Sequence, residues 1–342
     1  MAAGANQATA APTLETVAAR AGVSRATVSR VVNGSPKVSP QVREAVQAAI
    51  GELGYVPNPA ARSLVTRRTD TIAMVVPEPD DFLFADAYLT TLLTEVNRAL
   101  EGSETQLVLV IQGRGPGRGA GGRMHRYVTS GHVDGAILVS VHRDNPLPRL
   151  MADAGVPAVL DGRPPVDGLP LPYVDVDNVA GAQSAAEHLV GLGRRRIATI
   201  AGPADMTGAQ DRLTGFVAGL RQAGLTGLVE HGDYTEGSGF RAAQALLAAE
   251  PRLDGLFAAS DQMAVGALRA LRQAGRDVPG DVAVVGYDDL GPAATSDPPL
   301  TSVRQPVDLV AQELVRLLAE RIEGRPAEPV VLPTTLVRRA SA

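Results

Sequence analysis

Residues 13–64 read TLETVAARAGVSRATVSRVVNGSPKVSPQVREAVQAAIGELGYVPNPAARSL. Leu14, Val17, Ala18 and Ala21 recur at i, i+3, i+4 and i+7, one apolar face of a helix. Thr13 stands before it as an N-cap, its hydroxyl able to accept from an orphan backbone N–H. Gly22 ends it, where a left-handed residue fits most easily. Ser24 caps a second helix with Val28, Val31 and Val32 inward. Ser39 and Pro40 start a third, with Val42, Val46, Ala49, Ile50 and Leu53 inward and Gly54 as its stop. Two short helices meeting at a glycine turn, with a third behind them, form the order that lays one helix in a DNA major groove.

The outer face of the second helix pairs Arg25 with Ser29 and Ala26 with Arg30. Each pair is four residues apart, so the four side chains share one surface. Arg is the side chain best matched to guanine O6 and N7. Up to Arg68 there are eight Lys/Arg (Arg20, Arg25, Arg30, Lys37, Arg43, Arg62, Arg67, Arg68) against three acids, net +5, whereas the whole chain is −5 and the remainder therefore −10. A basic end on an acidic body predicts that only the end meets phosphates. Asn58-Pro59-Ala60-Ala61-Arg62-Ser63-Leu64 opens with Pro at a first helical position. It is either a plain linker or a segment that folds only when held, since isolated helices under about 12–15 residues are marginal in water. In the second case Leu64 could wedge between base pairs in the minor groove.

The 342 residues suffice for two or three compact units, and 45% are apolar. There is no Cys, hence no disulfide framework or thiolate metal site, and the five His (His125, His132, His142, His188, His231) lack metal-ligand spacing. No metal and no cofactor is expected. No apolar run approaches the ~18 residues of a membrane span. Residues 1–12 lack the basic and apolar regions of a signal peptide, which predicts a short disordered tail on a cytoplasmic protein.

After Thr69, short β-rich runs (TIAMVV, QLVLVI, GAILVSV, PAVLD, YVDVD, RIATIA, LVEHG, GLFAAS, VAVVGYD) alternate with helical runs near 86–100, 124–130, 148–154, 180–192, 211–223, 238–249 and 265–274. The alternation predicts α/β architecture with parallel sheets and helices on both faces. The number of units exceeds one small sheet, which predicts two lobes and a ligand site beyond the strand carboxyl ends, in the cleft between them. A glycine-rich run, GRGPGRGAGG at 113–122, fits G-x-G-x-x-G after a strand. Its arginines, proline and extra glycines suit a mobile surface loop better than a dinucleotide turn.

Residues 13–64 resemble the lactose-repressor/galactose-repressor (LacI/GalR) family of bacterial transcription regulators, through TLETVAARAGVS, TVSRVVNG, VSPQVREAV, ELGYVPN and AARSL. The body resembles the family's effector domain, related to periplasmic sugar-binding proteins, through VDNVAGAQSAAEHLVGLGRRRIATIAGP, RLTGF, SDQMAVGALRALRQAG, VPGDVAVVGYDD and LTSVRQP. The resemblance covers about residues 13–338. It implies a helix-turn-helix DNA-binding domain (13–57), a hinge helix and linker (58–69), and a two-lobed, periplasmic-binding-protein-like effector domain (70–342). Lobe one would be about 70–176 plus 306–324, and lobe two about 177–305 plus 325–342.

By that resemblance Arg25, Ala26 and Arg30 occupy base-reading positions, Ser24, Thr27 and Asn33 backbone-contact positions, and Leu64 the hinge wedge. With Ser29, Lys37 and Asn58 they form the expected DNA-binding set. Ala26 departs from the long polar residue of some members and offers only apolar contact. Val65 stands where some members carry Lys. The effector set is Asp161 and Asp288 at strand ends, Arg212 near a helix start, Ser260, Tyr234, and the aromatics Phe82, Phe84 and Tyr88 after the first strand. A carboxylate accepts from neighbouring hydroxyls, Arg supplies a charged fork, and an aromatic covers an apolar ring face. For each carboxylate the alternative role is a cap or an ion pair. Ser260 departs from the amide of some sugar-responsive members.

Three functions compete. An effector-controlled DNA-binding regulator fits every segment. An extracytoplasmic solute-binding protein would share the lobes but not the basic helical N-terminus. An enzyme would need a nucleophile elbow, metal cluster or Walker motif, none of which is present. The expectation is a repressor, not an enzyme, acting as a homodimer on a near-palindromic double-stranded operator, because no leucine heptad tail for tetramers follows Pro333. A sugar is the first choice of effector, a purine or nucleoside the second, with no membrane partner.

Overall fold

The computed structural model describes residues 12–32, 34–56, 68–112, 120–166 and 168–342. Asn33, Asn58 and Leu64 lie outside the described residues, as do 113–119 of the glycine-rich run. The chain divides at Thr69/Asp70 into two compact units.

The first unit holds α1 (Leu14–Ala21), α2 (Arg25–Val32) and α3 (Pro40–Leu53). Thr13 and Thr16 cap the first turn of α1 reciprocally, each hydroxyl accepting from the other's backbone N–H. Gly22 and Gly54 adopt φ of 65° and 62° at the ends of α1 and α3, backbone that a Cβ would strain. The Ser24 hydroxyl accepts from the Thr27 N–H at 3.1 Å. Val17, Ala18, Val28, Val31, Val46 and Ala49 form the core. Arg43 clamps the α2–α3 turn by donating to the Ser35 carbonyl at 2.7 Å.

The second unit is built on two six-stranded sheets. The first runs β11 (Val330–Leu332), β5 (Tyr173–Val176), β4 (Ala158–Asp161), β3 (Gly135–Leu138), β1 (Thr71–Pro79), β2 (Gln106–Gln112). The second runs β12 (Thr335–Val337), β10 (Thr301–Arg304), β9 (Ala283–Asp288), β8 (Gly255–Ala258), β6 (Ile197–Ala201), β7 (Leu228–His231). Neighbours are parallel except β10 and β12. The helices are α4 (Asp80–Ala85), α5 (Ala87–Ala99), α6 (Ala120–Thr129), α7 (Leu147–Asp153), α8 (Asn178–Gly191), α9 (Thr207–Gln222), α10 (Glu236–Ala249), α11 (Asp261–Gln273), α12 (Gly291–Thr295) and α13 (Val307–Ile322).

Strand alternation sorts the first core. Ile72, Met74 and Val76 face the layer of Leu92, Val96, Leu314 and Leu317 from α5 and α13. Ala73 and Val75 face Met124, Val128 and Met151 from α6 and α7, as a period of two requires. In the second lobe α10 and α11 cover one sheet face and α8 and α9 the other. Each fully buried Leu or Val contributes about 1.5–3 kcal/mol.

The chain crosses between lobes after β5, after β10 and between β11 and β12. The last crossing corrects the expected boundary at 325. Val330–Leu332 hydrogen-bond alongside β5, so 325–332 stay with the first lobe, and the second is re-entered through Pro333 and Thr334. A three-residue edge strand carries too little pattern to declare its sheet.

Helices α8 and α9 meet through a glycine. A Cβ on Gly215 would stand 2.0 Å from the Val179 carbonyl oxygen, and backbone cannot give way as a side-chain tip can. Gly191→Ala meets nothing within 4 Å. Gly215→Ala is therefore expected to cost about 1–3 kcal/mol and lower the thermal midpoint, while Gly191→Ala leaves it unchanged or slightly raised. Equal melting of the two variants in calorimetry would refute the close approach.

Candidate functional site

In the first unit, Ser24, Arg25, Ala26, Arg30 and Lys37 are exposed, and Thr27 and Ser29 half-buried. The apolar side of α2 packs inward on Val28 and Val31, which turns Arg25, Ala26, Ser29 and Arg30 outward. Arg25 Nε lies 3.0 Å from the Glu15 carboxylate of α1. The pair is exposed, so it adds little stability, and a phosphate or base edge can compete for it. Ser24 and Thr27 hydroxyls lie 2.9 Å apart at the helix N-terminus, where backbone N–H groups suit a phosphate.

In the second unit a cleft of about 920 Å³, including the space open to solvent, lies between the lobes. It gathers Phe82, Tyr88, Asp161, Arg212, Tyr234, Ser260 and Asp288 from six separate stretches of chain. Phe84 is the exception among the expected effector residues: it is 64% exposed and does not line the cleft. On α4, Leu83 takes the buried position and Phe82 the cleft, which leaves Phe84 outside.

Arg212 organises this site. It is 9% exposed on α9. Its Nε donates to Asn178 Oδ1 at 2.8 Å and Nη1 to the Ala259 carbonyl at 2.7 Å. Nη1 lies 3.6 Å from Asp288 Oδ1, and the guanidinium stacks 3.8 Å from the Tyr287 ring centroid. Nη2 has no protein acceptor among the described residues, so it can serve a ligand oxygen. Burial works against this charge, yet Tyr234, Tyr287 and Asp288 around it hold the proton more tightly than usual.

Asp288 ends β9 at φ 110°, a conformation costly for a residue with a Cβ and most common at functional positions. Gln305 donates to its Oδ1 at 2.7 Å. Burial raises its affinity for a proton, and Arg212 opposes that. Asp161 ends β4 and accepts from the Tyr88 hydroxyl at 2.9 Å. Burial pushes its carboxyl up to about 7, Tyr88 works the other way, and nearby Asp175 adds repulsion. Asp86 and Asp175 are raised as well, burial being the main cause in each. Ser260 caps α11, accepting from Met263 N–H at 3.2 Å, so its proton remains available for donation. Tyr234 sits at φ 67°, and its ring fills space that a Cβ on Gly202 would occupy at 2.4 Å.

The structure adds residues that the sequence reading missed. Asn178 accepts from both Arg212 and the Tyr287 hydroxyl, at 2.8 and 3.2 Å, and donates to Asp175 at 2.9 Å. Asp86, Ser140, Arg163, Met206, Thr207 and Gln305 also line the cleft. Asn178 stood within the quoted VDNVAGAQ, directly after a strand, which was the one available signal. Among the described residues no cluster of His, Cys, Asp or Glu could hold a metal ion, and no helix is long and apolar enough to cross a membrane.

A helix-turn-helix unit with exposed arginines, joined in one chain to a two-lobed receptor with a polar cleft, defines a ligand-responsive DNA-binding regulator. The model of bacterial regulatory proteins of the lacI family matches residues 13–58, and that of the periplasmic binding protein-like domain matches 186–342. The HTH-type transcriptional regulator CelR of Thermobifida fusca is 51% identical over 96% of this chain and 98% of its own. A solved CelR–cellobiose complex covers 97% of this chain and 100% of that one, at 48% identity and a TM-score of 0.76. The lac repressor dimer bound to operator and the anti-inducer ONPF covers 96% and 98%, at 30% identity and a TM-score of 0.84. The chain belongs to the lacI family. It is a DNA-binding transcriptional regulator and not an enzyme.

The cleft carboxyls carry a stability consequence. Asp161 binds its proton more tightly folded (about 7) than unfolded (3.8), so its contribution is present below the unfolded value and is lost as pH rises through about 7. Asp161→Asn keeps an acceptor for Tyr88 and cannot ionise. Without ligand, the variant is expected to melt about 3 °C or more above the parent at pH 8, and no higher at pH 4. A parent-minus-variant difference independent of pH would refute this.

Proposed function

We propose that this protein is a carbohydrate-responsive repressor whose effector is a neutral β-linked disaccharide of the cellobiose type. The observation that carries this is the polar make-up of the cleft. Asp161 and Asp288 can accept from neighbouring hydroxyls, Arg212 Nη2 and Ser260 can donate, and Phe82, Tyr88 and Met206 supply apolar faces. Asp86, Asp161, Asp175 and Asp288 outnumber the single buried cation, Arg212, so a sugar phosphate would meet a surplus of negative charge. The CelR relative is known in complex with cellobiose, which names the first ligand to try.

On the DNA side, Arg25 and Arg30 read base edges, Ala26 offers apolar contact, and Ser24, Thr27, Asn33 and Lys37 fix the helix on phosphates. Ser29 shares that face. In this reading Asn58 and Leu64 also meet the DNA, Leu64 as the minor-groove wedge. The protein works in the cytoplasm as a homodimer on a near-palindromic operator. Effector binding changes operator affinity because it favours one relation of the lobes over the other.

Cellobiose is expected to raise the melting temperature of the full-length protein and to change its operator affinity, while a phosphorylated disaccharide does neither. Asp288→Ala should abolish both effects and keep operator binding without effector. A normal cellobiose response in that variant would remove Asp288 from the site, and no response in the parent would overturn the assigned ligand. Arg30→Ala is expected to cost about 1–3 kcal/mol on the preferred operator and to relax base preference in a selection of binding sites. An unchanged selected sequence would remove Arg30 from base reading.

A further inference from the structure

We propose that His142 is a positioning residue for effector binding: as an imidazolium shared between one carboxylate of each lobe, it latches the lobes closed. The inference takes the cleft to be the effector site, as above. His142 follows β3 in the first lobe. Its Nε2 lies 2.8 Å from Glu78 Oε1 at the end of β1, in the same lobe. Its Nδ1 lies 2.7 Å from Asp205 Oδ2, in the second lobe between β6 and α9. The Arg143 N–H donates to the Asp205 carbonyl at 3.1 Å, so the lobes meet here through backbone as well.

The geometry demands a charge. A neutral imidazole has one N–H and one lone pair. Here both ring nitrogens face carboxylate oxygens at hydrogen-bond distance, so a neutral ring would turn its lone pair on one of them. Only the imidazolium satisfies both, and each bond is then charge-assisted. Glu78 is fixed from its own side by the Ser140 hydroxyl, which donates at 3.0 Å. Ser140 lines the cleft and sits at φ 51°, which places the latch at the edge of the binding site. Arg163 and Asp211 make a second bridge between lobes at 2.7 Å. Asp211 precedes Arg212 on α9, so the bridge and the buried guanidinium move together.

Lobe opening removes Asp205 from His142 and leaves Glu78. The groups facing the ring are these two carboxylates, with Arg143 next in the chain. Glu78 contributes most to raising the ring to about 9, burial opposes it, and Asp205 adds to it. The closed form therefore holds the proton to higher pH than the open form does. The latch holds at neutral pH and is lost as pH rises through about 9.

The chain has no Cys, so Ala154→Cys and Ala249→Cys, one exposed site on each lobe, can be spin-labelled in the full-length protein. Without ligand, the interlobe distance distribution is expected to be narrow at pH 7, and to lengthen and broaden at pH 10. His142→Gln and Asp205→Asn should give the broad distribution at both pH values. Cellobiose titration should then show each single variant about tenfold weaker at pH 7, the double variant no weaker than either single, and a pH 7-to-10 loss absent from His142→Gln. Unchanged distances in both variants, or additive losses in the double variant, would overturn the latch. Failure of cellobiose to bind any form, with the distances behaving as described, would overturn the ligand assignment and leave the latch standing.

Discussion

Burying a guanidinium costs several kcal/mol unless its donors and charge are met, and the second unit is arranged around meeting that cost for Arg212. The partners come from places far apart in sequence. Asn178 begins α8 just after the first crossing between lobes, the Ala259 carbonyl follows β8, Tyr287 and Asp288 end β9, and α9 carries the arginine itself. These groups meet only if the strand ends lie side by side in the order of the second sheet. Asn178 also donates to Asp175 at the end of the first lobe's β5, so one asparagine ties the arginine to the first crossing between the lobes.

That arrangement explains which parts of the molecule are legible in its sequence. Strands such as IATIA and AVVGYD are buried on both faces, and central parallel strands announce themselves as continuous apolar runs. The first three helices are legible for the opposite reason: each is amphipathic and bounded by a local cap or a left-handed glycine. Helix α13 has equally plain spacing in Val307, Val310, Ala311, Leu314, Leu317 and Leu318, one apolar face of a helix. Asp161 and Asp288 could be placed at the cleft because they end strands of open α/β sheets, and Arg212 because the RLTGF around it resembles the family's pattern. Asn178, Gln305 and the His142 bridge could not. Their meaning lies in partners 34, 17 and 63 residues away, and spacing along the chain carries no trace of these. Phe84 fails from the other side, since a six-residue helix is too short for periodicity to say which of Phe82, Leu83 and Phe84 faces in.

The cleft also holds buried acidic groups at a cost to stability. Asp86, Asp161, Asp175 and Asp288 are held with too few cations to compensate them, and burial raises each. Asp288 and Tyr234 sit at positive φ. A core selected for stability alone would carry neither feature. Hydroxyls of a bound sugar would add donors to these carboxyls beyond those the protein supplies, so binding would offset part of that cost. The proposed affinity for a neutral sugar and the cost of holding these carboxyls thus share one cause.

A cleft that gains from being filled still transmits nothing unless the filled and empty forms differ in shape. The chain supplies two kinds of joint between the lobes. Three crossings, after β5, after β10 and between β11 and β12, are covalent and permit rotation. The His142–Asp205 and Arg163–Asp211 contacts are electrostatic and resist it. Because Asp211 and Arg212 are neighbours on one helix, a ligand oxygen drawn to the guanidinium pulls on the same element that carries a bridge. The coupling is reciprocal: whatever favours closure strengthens effector binding by the same free energy with which the effector favours closure. The mouth of the cleft, and not only its floor, therefore sets the effector concentration to which the regulator responds.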